Sequence, residues 1–385
     1  MSVLNNSLIG LAGSLLLAGS LAASPAVAQI KIGMNVPLTG FAAADGQSAL
    51  TGAELAVEQV NAAGGINGEK LELVVYDDQA SPKESAPIAI KLATKDNVVA
   101  AISGSYSGAT RAAAGVFQSQ SVPYISAFAV HPDITRAGDY VFRTAFVGEV
   151  QGRAGAQLAG KGLGKKRAVI VTLKNDFGKS LAAGFREAAG KYGVEVVNEY
   201  EYSIKDRQFG SIVSKVKSDN PDVIYASGYF FTAGPLVSQF RSGGIEVPVI
   251  GQEGYDSEKF IEIAGAAAEG VIITTSLDRD SNKPETKDFI RQFKEKAGYK
   301  ADMVAASGHT AIKVLAAALK KAGSTDRKAL RDAIAAISVE TSIGTISFNQ
   351  LGEVQKDVQV QIVKDGAWRR HSVISDPELL APPTK

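Results

Sequence analysis

A turn rich in hydroxyls, SGSYSGAT at residues 103–110, stands between an apolar run, NVVAAI, and an alanine-rich stretch of helical period. Three chemistries use such a turn. A nucleophile elbow needs serine at the centre of G-x-S-x-G, and Gly104-Ser105-Tyr106-Ser107-Gly108 puts tyrosine there. A phosphate loop needs a lysine after its last glycine, and none follows Gly108. What remains is a helix start, whose free N–H groups and dipole favour an anion, with Ser107 as the candidate N-cap. A plain helix cap and a carboxylate seat are equally compatible with these residues.

A group of opposite use lies far along the chain. Glu253 follows the apolar run VPVI and is flanked by Gly251 and Gly254. A carboxylate at a strand end between glycines suits an ammonium group if it points into a cleft. The alternative is an exposed loop glutamate. Aromatic residues gather at other strand ends: Tyr225, Tyr229, Phe230 and Phe231 in YASGYFFTAG, and Phe177 in KNDFGKS. Some must be core, and the rest are suited to line an apolar wall of a ligand cleft. Asp45, in the small-residue loop of LTGFAAADGQSALTG, either caps the following helix or faces the cleft. Hydrolysis with Ser107 as nucleophile lacks a base, because the histidines are only His131, His309 and His371 and none is coupled to a serine by motif.

The chain as a whole excludes several classes. It has no cysteine, so there is no disulfide framework, no thiolate metal site and no cysteine for lipid attachment. The histidines lack ligand spacing, and no metal or cofactor is expected. A net charge of +1 with interspersed signs gives no reason to expect nucleic acid as a partner. The apolar run LIGLAGSLLLAGSLAASPAVA ends in Ala26-Val27-Ala28, an A-x-A cleavage pattern, although no Lys or Arg precedes it. Residues 1–28 are therefore expected to be a signal peptide, with cleavage near Ala28/Gln29 and a periplasmic destination. The remainder exceeds what one core usually holds, so two lobes are expected.

Past residue 29, β-branched runs such as IKIGMNV, KLELVVYDD and VVAAISG alternate with amphipathic helices such as ALTGAELAVEQVNAAGG and PKESAPIAIKLATKD. The rhythm restarts after VFRTAF with RAVIVTL. Alternation of this kind predicts an α/β protein with two Rossmann-like lobes and mainly parallel sheets built by βαβ crossovers. The segment GTISFNQLGEVQKDVQVQIVKDGAWR reads as closing hairpin material. SDPELLAPPTK reads as a poorly ordered tail.

In order along the chain, PLTGFAAADGQSALTG, SGSYSGATRAAA, HPDITRAGDYVFRT, NDFGKSLAAGF, GYFFTAGPLVSQFRSGG, GQEGYDSEKF and ISFNQLGE resemble the branched-chain amino acid type of ABC transporter substrate-binding protein, a type I periplasmic binding protein. The resemblance covers nearly all of the chain past residue 28. It implies a first lobe of residues 29–148 plus 276–344, a second of 149–275 plus 345–375, and a tail of 376–385. A three-strand hinge is implied near Phe146–Val150, Thr275–Leu277 and Gly344. It places Ser107 and its neighbour Tyr106 at the ligand carboxylate. It places Glu253 and the carbonyl of Phe128 at the ammonium, with Ala129 in the same turn and the Val130 N–H toward the carboxylate. Tyr229, Phe177, Asp45 and His309 fall at the side-chain pocket. Val130 stands where leucine-binding relatives have threonine, Asp45 where they have an aromatic residue, and His309 and Phe177 where they have tyrosine. The family reading is a monomeric, non-enzymatic receptor that closes on a small amino acid and presents it to the transmembrane permease subunits. An aromatic acid or short amide on the same scaffold is the other ligand reading. A sensory ligand-binding domain of the same fold is disfavoured, because no signalling segment follows residue 370.

Overall fold

The computed structural model describes residues 29–383; the expected signal peptide lies outside the described residues. The first sheet contains β1 (Gln29–Val36), β2 (Lys70–Asp77), β3 (Ala100–Ser103), β4 (Tyr124–Ser126) and β5 (Val141–Arg143). Their order is β2-β1-β3-β4-β5, and every pair is parallel. The crossovers run through α1 (Ala43–Ala62), α2 (Pro82–Thr94) and α3 (Ser107–Ser119). After α4 (Gly148–Gln157) a second sheet repeats the pattern with β6 (Arg167–Leu173), β7 (Glu195–Tyr202), β8 (Val223–Ala226), β9 (Val249–Gln252) and β10 (Ile272–Thr275). Its crossovers use α5 (Asp176–Ala189), α6 (Gly210–Asp219), α7 (Phe230–Ser242) and α8 (Glu258–Ala264). The chain then returns to the first lobe as α9 (Pro284–Ala297), α10 (Met303–Ala322) and α11 (Arg327–Ala335). It ends in the hairpin β11 (Ser338–Thr341) and β12 (Gly344–Ser347), then β13 (Val358–Lys364) and β14 (Ala367–Ile374).

The central parallel strands are continuous apolar runs because helices cover both faces; β8 and β9 are buried at every residue, whereas the edge strands β2 and β7 carry charged residues. The second sheet, β14-β13-β10-β9-β8-β6-β7, turns antiparallel only at its last two strands. Asp365 and Gly366, at φ 53° and 68°, form the tight turn that this reversal needs. In both sheets the order reverses beside the first strand, at β1/β3 and at β6/β8. Such switch points open a crevice at the carboxyl ends of the strands. Register aligns the ends: Asn35 of β1 sits opposite Ser103 of β3, and Val171 of β6 opposite Ala226 of β8.

Two local expectations change. Gly344 opens β12, which pairs with β11 and not with the second sheet. Gly352 and Glu353 remain bonded to Arg143 at the edge of the first sheet. The last passage between lobes therefore falls at residues 354–357, past the expected Gly344. The tail is also held in place. Leu379 and Leu380 are buried, and Arg153 of α4 donates to the carbonyls of Leu379 at 3.1 Å and Ala381 at 2.8 Å. Proline-rich composition missed the two leucines that anchor this segment.

Candidate functional site

The loops at the two switch points face each other across one cleft. They line one shared cavity between the lobes. From the first lobe come Asp45 of α1, Tyr106 and Ser107 at the start of α3, Phe128 and Ala129 after β4, and Met303 and Val304 at the start of α10. From the second come Phe177, Tyr229 and the run Glu253 to Ser257 without Tyr255. Eight of the ten residues singled out in the sequence thus meet here. Asp256, Ser257, Met303 and Val304 were not anticipated.

Three serines of the opening turn have three separate jobs. Ser103 Oγ shares a 2.6 Å hydrogen bond with Thr110, and Ser105 Oγ donates to Asp78 at 2.9 Å, so both are structural. Ser107 is not the N-cap. Tyr106 holds that position, and Ser107 is the first helical residue, with its hydroxyl accepting from the Val130 N–H at 3.2 Å. The early N–H groups of α3 have no intrahelical partner, which leaves the anion seat intact beside the Ser107 hydroxyl. Val130 is corrected in turn: it is fully buried, does not line the cavity, and spends its N–H on Ser107.

His309 also lies elsewhere. Its Nε2 meets Gln59 at 2.9 Å between α1 and α10, and Phe289 packs against its ring at 4.9 Å. Only the first residues of α10 reach the cavity, and six residues along a helix is a displacement of about 9 Å. Burial drives the His309 pKa down to about 3, so the ring is neutral. The end of α10 is pinned by Asp302, which caps it through Ala305 N–H at 2.9 Å and accepts Ser48 Oγ of α1 at 2.7 Å. Close approach of the two helices requires Gly52, where a Cβ would sit 2.1 Å from the Ala305 carbonyl oxygen.

Asp45 lies inside α1, in its first turn, and not in a loop before it. It makes no cap bond; its Oδ2 accepts the Tyr106 hydroxyl at 2.7 Å. Burial raises the Asp45 carboxyl to about 7, with the Tyr106 hydrogen bond opposing and the charges of Asp302 and Asp256 adding to the rise. A raised carboxyl pKa means the folded state holds a proton that the unfolded chain has lost, so stability falls as pH rises from about 4 to about 7. Asp45→Asn should therefore gain thermal stability relative to the parent across that window and level off above it. Parallel melting curves over the window would contradict this.

Tyr106 also joins the lobes. Its ring lies 3.9 Å from that of Tyr229 with planes 3° apart, and Phe177 continues the stack at 4.8 Å. Tyr225 is core, beneath Phe185 at 4.4 Å. Outside the stack, Arg111 of α3 pairs with Asp176 of α5 at 2.9 Å, and Lys300 with Glu258 of α8 at 3.0 Å. Both ion pairs span the cleft, and both are half exposed, where such pairs contribute about 0.2–1 kcal/mol. Lys300→Glu and Glu258→Lys should each weaken ligand binding a few-fold, and the double exchange should restore it. Titration of the three variants checks this; a double variant as weak as the worse single one would show that the pair does not hold the closed form.

Glu253 is the least satisfied group in the cleft. It is buried, and among the described residues neither carboxylate oxygen has a hydrogen-bond partner. Gly254 after it admits the Gly228 carbonyl oxygen, which a Cβ would meet at 2.2 Å. Burial pushes the Glu253 carboxyl well up, and the charge of Lys356 opposes the rise. Lys356 comes from the last interlobe passage. Its buried ammonium also has no hydrogen-bond partner among the described residues, lies 4.9 Å over the Phe146 ring, and is pushed down by burial while Glu253 holds it up. In the polar run EVQKDVQV nothing marked this lysine. Arg143 was missed as well, although an arginine inside VFRT was a signal. It is fully buried, binds Glu353 through Nε at 2.9 Å and Nη2 at 2.6 Å, and donates Nη1 to the carbonyls of Ala129 and His131. It thus fixes the turn that carries Phe128 and Ala129.

Among the described residues no cluster of three or more His, Asp or Glu could hold a metal ion, and no helix is long and apolar enough to cross a membrane.

Two α/β lobes with matching switch points and one buried cleft define a type I binding-protein scaffold. The sequence profile of the periplasmic binding protein family matches residues 29–367, and the chain belongs to that family. It is 33% identical to the Leu/Ile/Val-binding protein homolog 3 of Brucella melitensis, over 86% of this chain and 90% of that one. The substrate-binding protein LivJ of the Streptococcus pneumoniae branched-chain amino acid transporter, solved in complex with isoleucine, superposes with a TM-score of 0.85 at 29% identity. That match covers 91% of this chain and 100% of LivJ. A solute-binding protein of an R. palustris ABC transporter in complex with benzoate has a TM-score of 0.83 at 25% identity, over 90% of this chain and 96% of its own. These relatives are binding proteins.

Proposed function

We propose that this chain is the periplasmic receptor of an ABC importer, and that it closes on one α-amino acid. The observation that carries the reading is the Glu253 carboxylate, buried, without a hydrogen-bond partner among the described residues, and lining from the second lobe the same cavity that the start of α3 lines from the first. A buried polar atom left unpaired costs about 1–3 kcal/mol, and an ammonium group removes that cost. The ligand's carboxylate meets the Ser107 hydroxyl and the free N–H groups of α3, while the Phe128 carbonyl assists at the ammonium. Tyr229 and Phe177 cover the side chain from the second lobe.

Because Ser107 and Glu253 belong to different lobes, the two ends of one zwitterion bridge them. Only a ligand that touches both lobes has the differential affinity needed to favour closure. The hinge comprises the passages near Phe146–Val150, near Thr275–Leu277 and at residues 354–357. The closed surface is what permease subunits would recognise. Residues 1–28 serve as the export signal.

The stack of Phe177, Tyr229 and Tyr106 favours a second reading, in which an aromatic acid fills the cleft as in the benzoate-bound relative. That ligand has no ammonium and leaves Glu253 unpaired. Protein unfolded to strip bound ligand, refolded and titrated with a panel of amino acids and benzoates, separates the two. Thermal stabilisation by amino acids alone supports the first reading; stabilisation by benzoates alone overturns it. Hydrolysis finds no support, since no histidine lines the cavity.

A further inference from the structure

The cavity contains three carboxyl groups and no Lys or Arg in its lining. Asp256 is already held by the Arg279 guanidinium and the Thr275 hydroxyl. Glu253 is the partner of an ammonium in the reading above. Asp45 is left over on the first lobe. It is buried, and among the described residues one hydrogen bond reaches it, from Tyr106 to Oδ2. Its position is firm, because Ser48, three residues on, is tied to Asp302, and Tyr106 is clamped against Tyr229 of the other lobe. Met303 and Val304 add an apolar wall to the cavity.

An alkyl side chain placed against Asp45 would strip water from a carboxyl group and return nothing, which is costly. A side chain ending in a hydroxyl, carboxamide or ammonium would fill the open oxygen, and its hydrogen bond would favour the ionised carboxylate that burial alone disfavours. We propose that Asp45 reads the ligand's side chain, and that the preferred ligand is an α-amino acid whose side chain ends in a hydrogen-bond donor. This rests on the amino-acid reading of the cleft and deepens it. Tyr106 is the link between choice and closure, since its hydroxyl orients Asp45 while its ring carries the interlobe stack.

The test uses matched pairs on the ligand-stripped full chain: L-threonine against L-valine, and L-asparagine against L-leucine, by calorimetric titration. In at least one pair the donor-bearing member should bind roughly ten-fold tighter or more, the effect expected of a hydrogen bond to a charged group. Asp45→Leu should reverse that preference, and Asp45→Asn, which keeps the shape and an acceptor oxygen, should retain part of it. The proposal is overturned if valine and leucine match or exceed their partners in the parent, or if both variants keep the parent's ranking. Amino-acid binding that persists with either outcome and is lost in Glu253→Gln leaves the general reading standing and sinks the role of Asp45 alone. Absence of binding by every amino acid takes down both.

Discussion

Glu253→Gln should raise the dissociation constant for an amino acid by roughly ten- to a hundred-fold, because it exchanges a charge-assisted hydrogen bond for a neutral one at constant shape. Two costs normally disguise such an effect, and both are small here. The backbone at Gly254 is fixed by its contact with Gly228, and the carboxylate has no other hydrogen bond to lose. The pH dependence has a defined sign. Burial raises the free Glu253 carboxyl, while the complex needs it ionised beside the ammonium, so affinity should climb as pH rises through the raised value. Lys356 and Arg143 pull that value down and Asp256 pushes it up. In Glu253→Gln this contribution disappears. Isothermal titration of both proteins across neutral pH measures the constant and the slope, and an unchanged constant would remove Glu253 from the site.

Arg143→Met should be the most damaging single change to stability, at about 3–5 kcal/mol, the cost of leaving a buried partner unpaired. Glu353 would lose both guanidinium contacts, and the carbonyls of Ala129 and His131 would lose theirs. Replacing both partners by apolar residues is often close to neutral, so Arg143→Met with Glu353→Leu should recover much of the loss. Denaturant unfolding of the parent, the single and the double variant checks this. A single variant within about 1 kcal/mol of the parent would show that the network contributes little.

Strand and helix alternation made the two parallel sheets legible, because strands buried on both faces must be apolar throughout. From the strand ends Ser107, Phe177, Tyr229 and Glu253 could be marked as cleft candidates and Asp45 as cap or cleft, whereas Tyr106 and Phe128 were placed only by the resemblance to the binding-protein family. What escaped depends on details that periodicity does not carry. Whether Ser107 or Tyr106 ends the loop changes which hydroxyl is free, and helical small residues extend α1 back past Asp45. His309 fails by its distance along α10, a tertiary matter. Lys356 becomes visible only once the passage at 354–357 is folded against Glu253 and the Phe146 ring. The departures from an alkyl pocket, Asp45 above all, were visible as residue types, but their consequence needed the Tyr106 hydrogen bond and the pairing of Asp256 with Arg279.

The most direct measurement deletes the amine from the ligand and the charge from the protein in one cycle. L-threonine and 3-hydroxybutanoate, with L-leucine and 4-methylpentanoate as the alkyl pair, are titrated against the parent and Glu253→Gln. If Glu253 meets the ammonium, loss of the amine should weaken binding to the parent at least ten-fold and should matter much less in the variant. Amine-free acids that bind the parent as tightly as the amino acids, or an equal penalty in both proteins, would contradict a zwitterion held between Ser107 and Glu253.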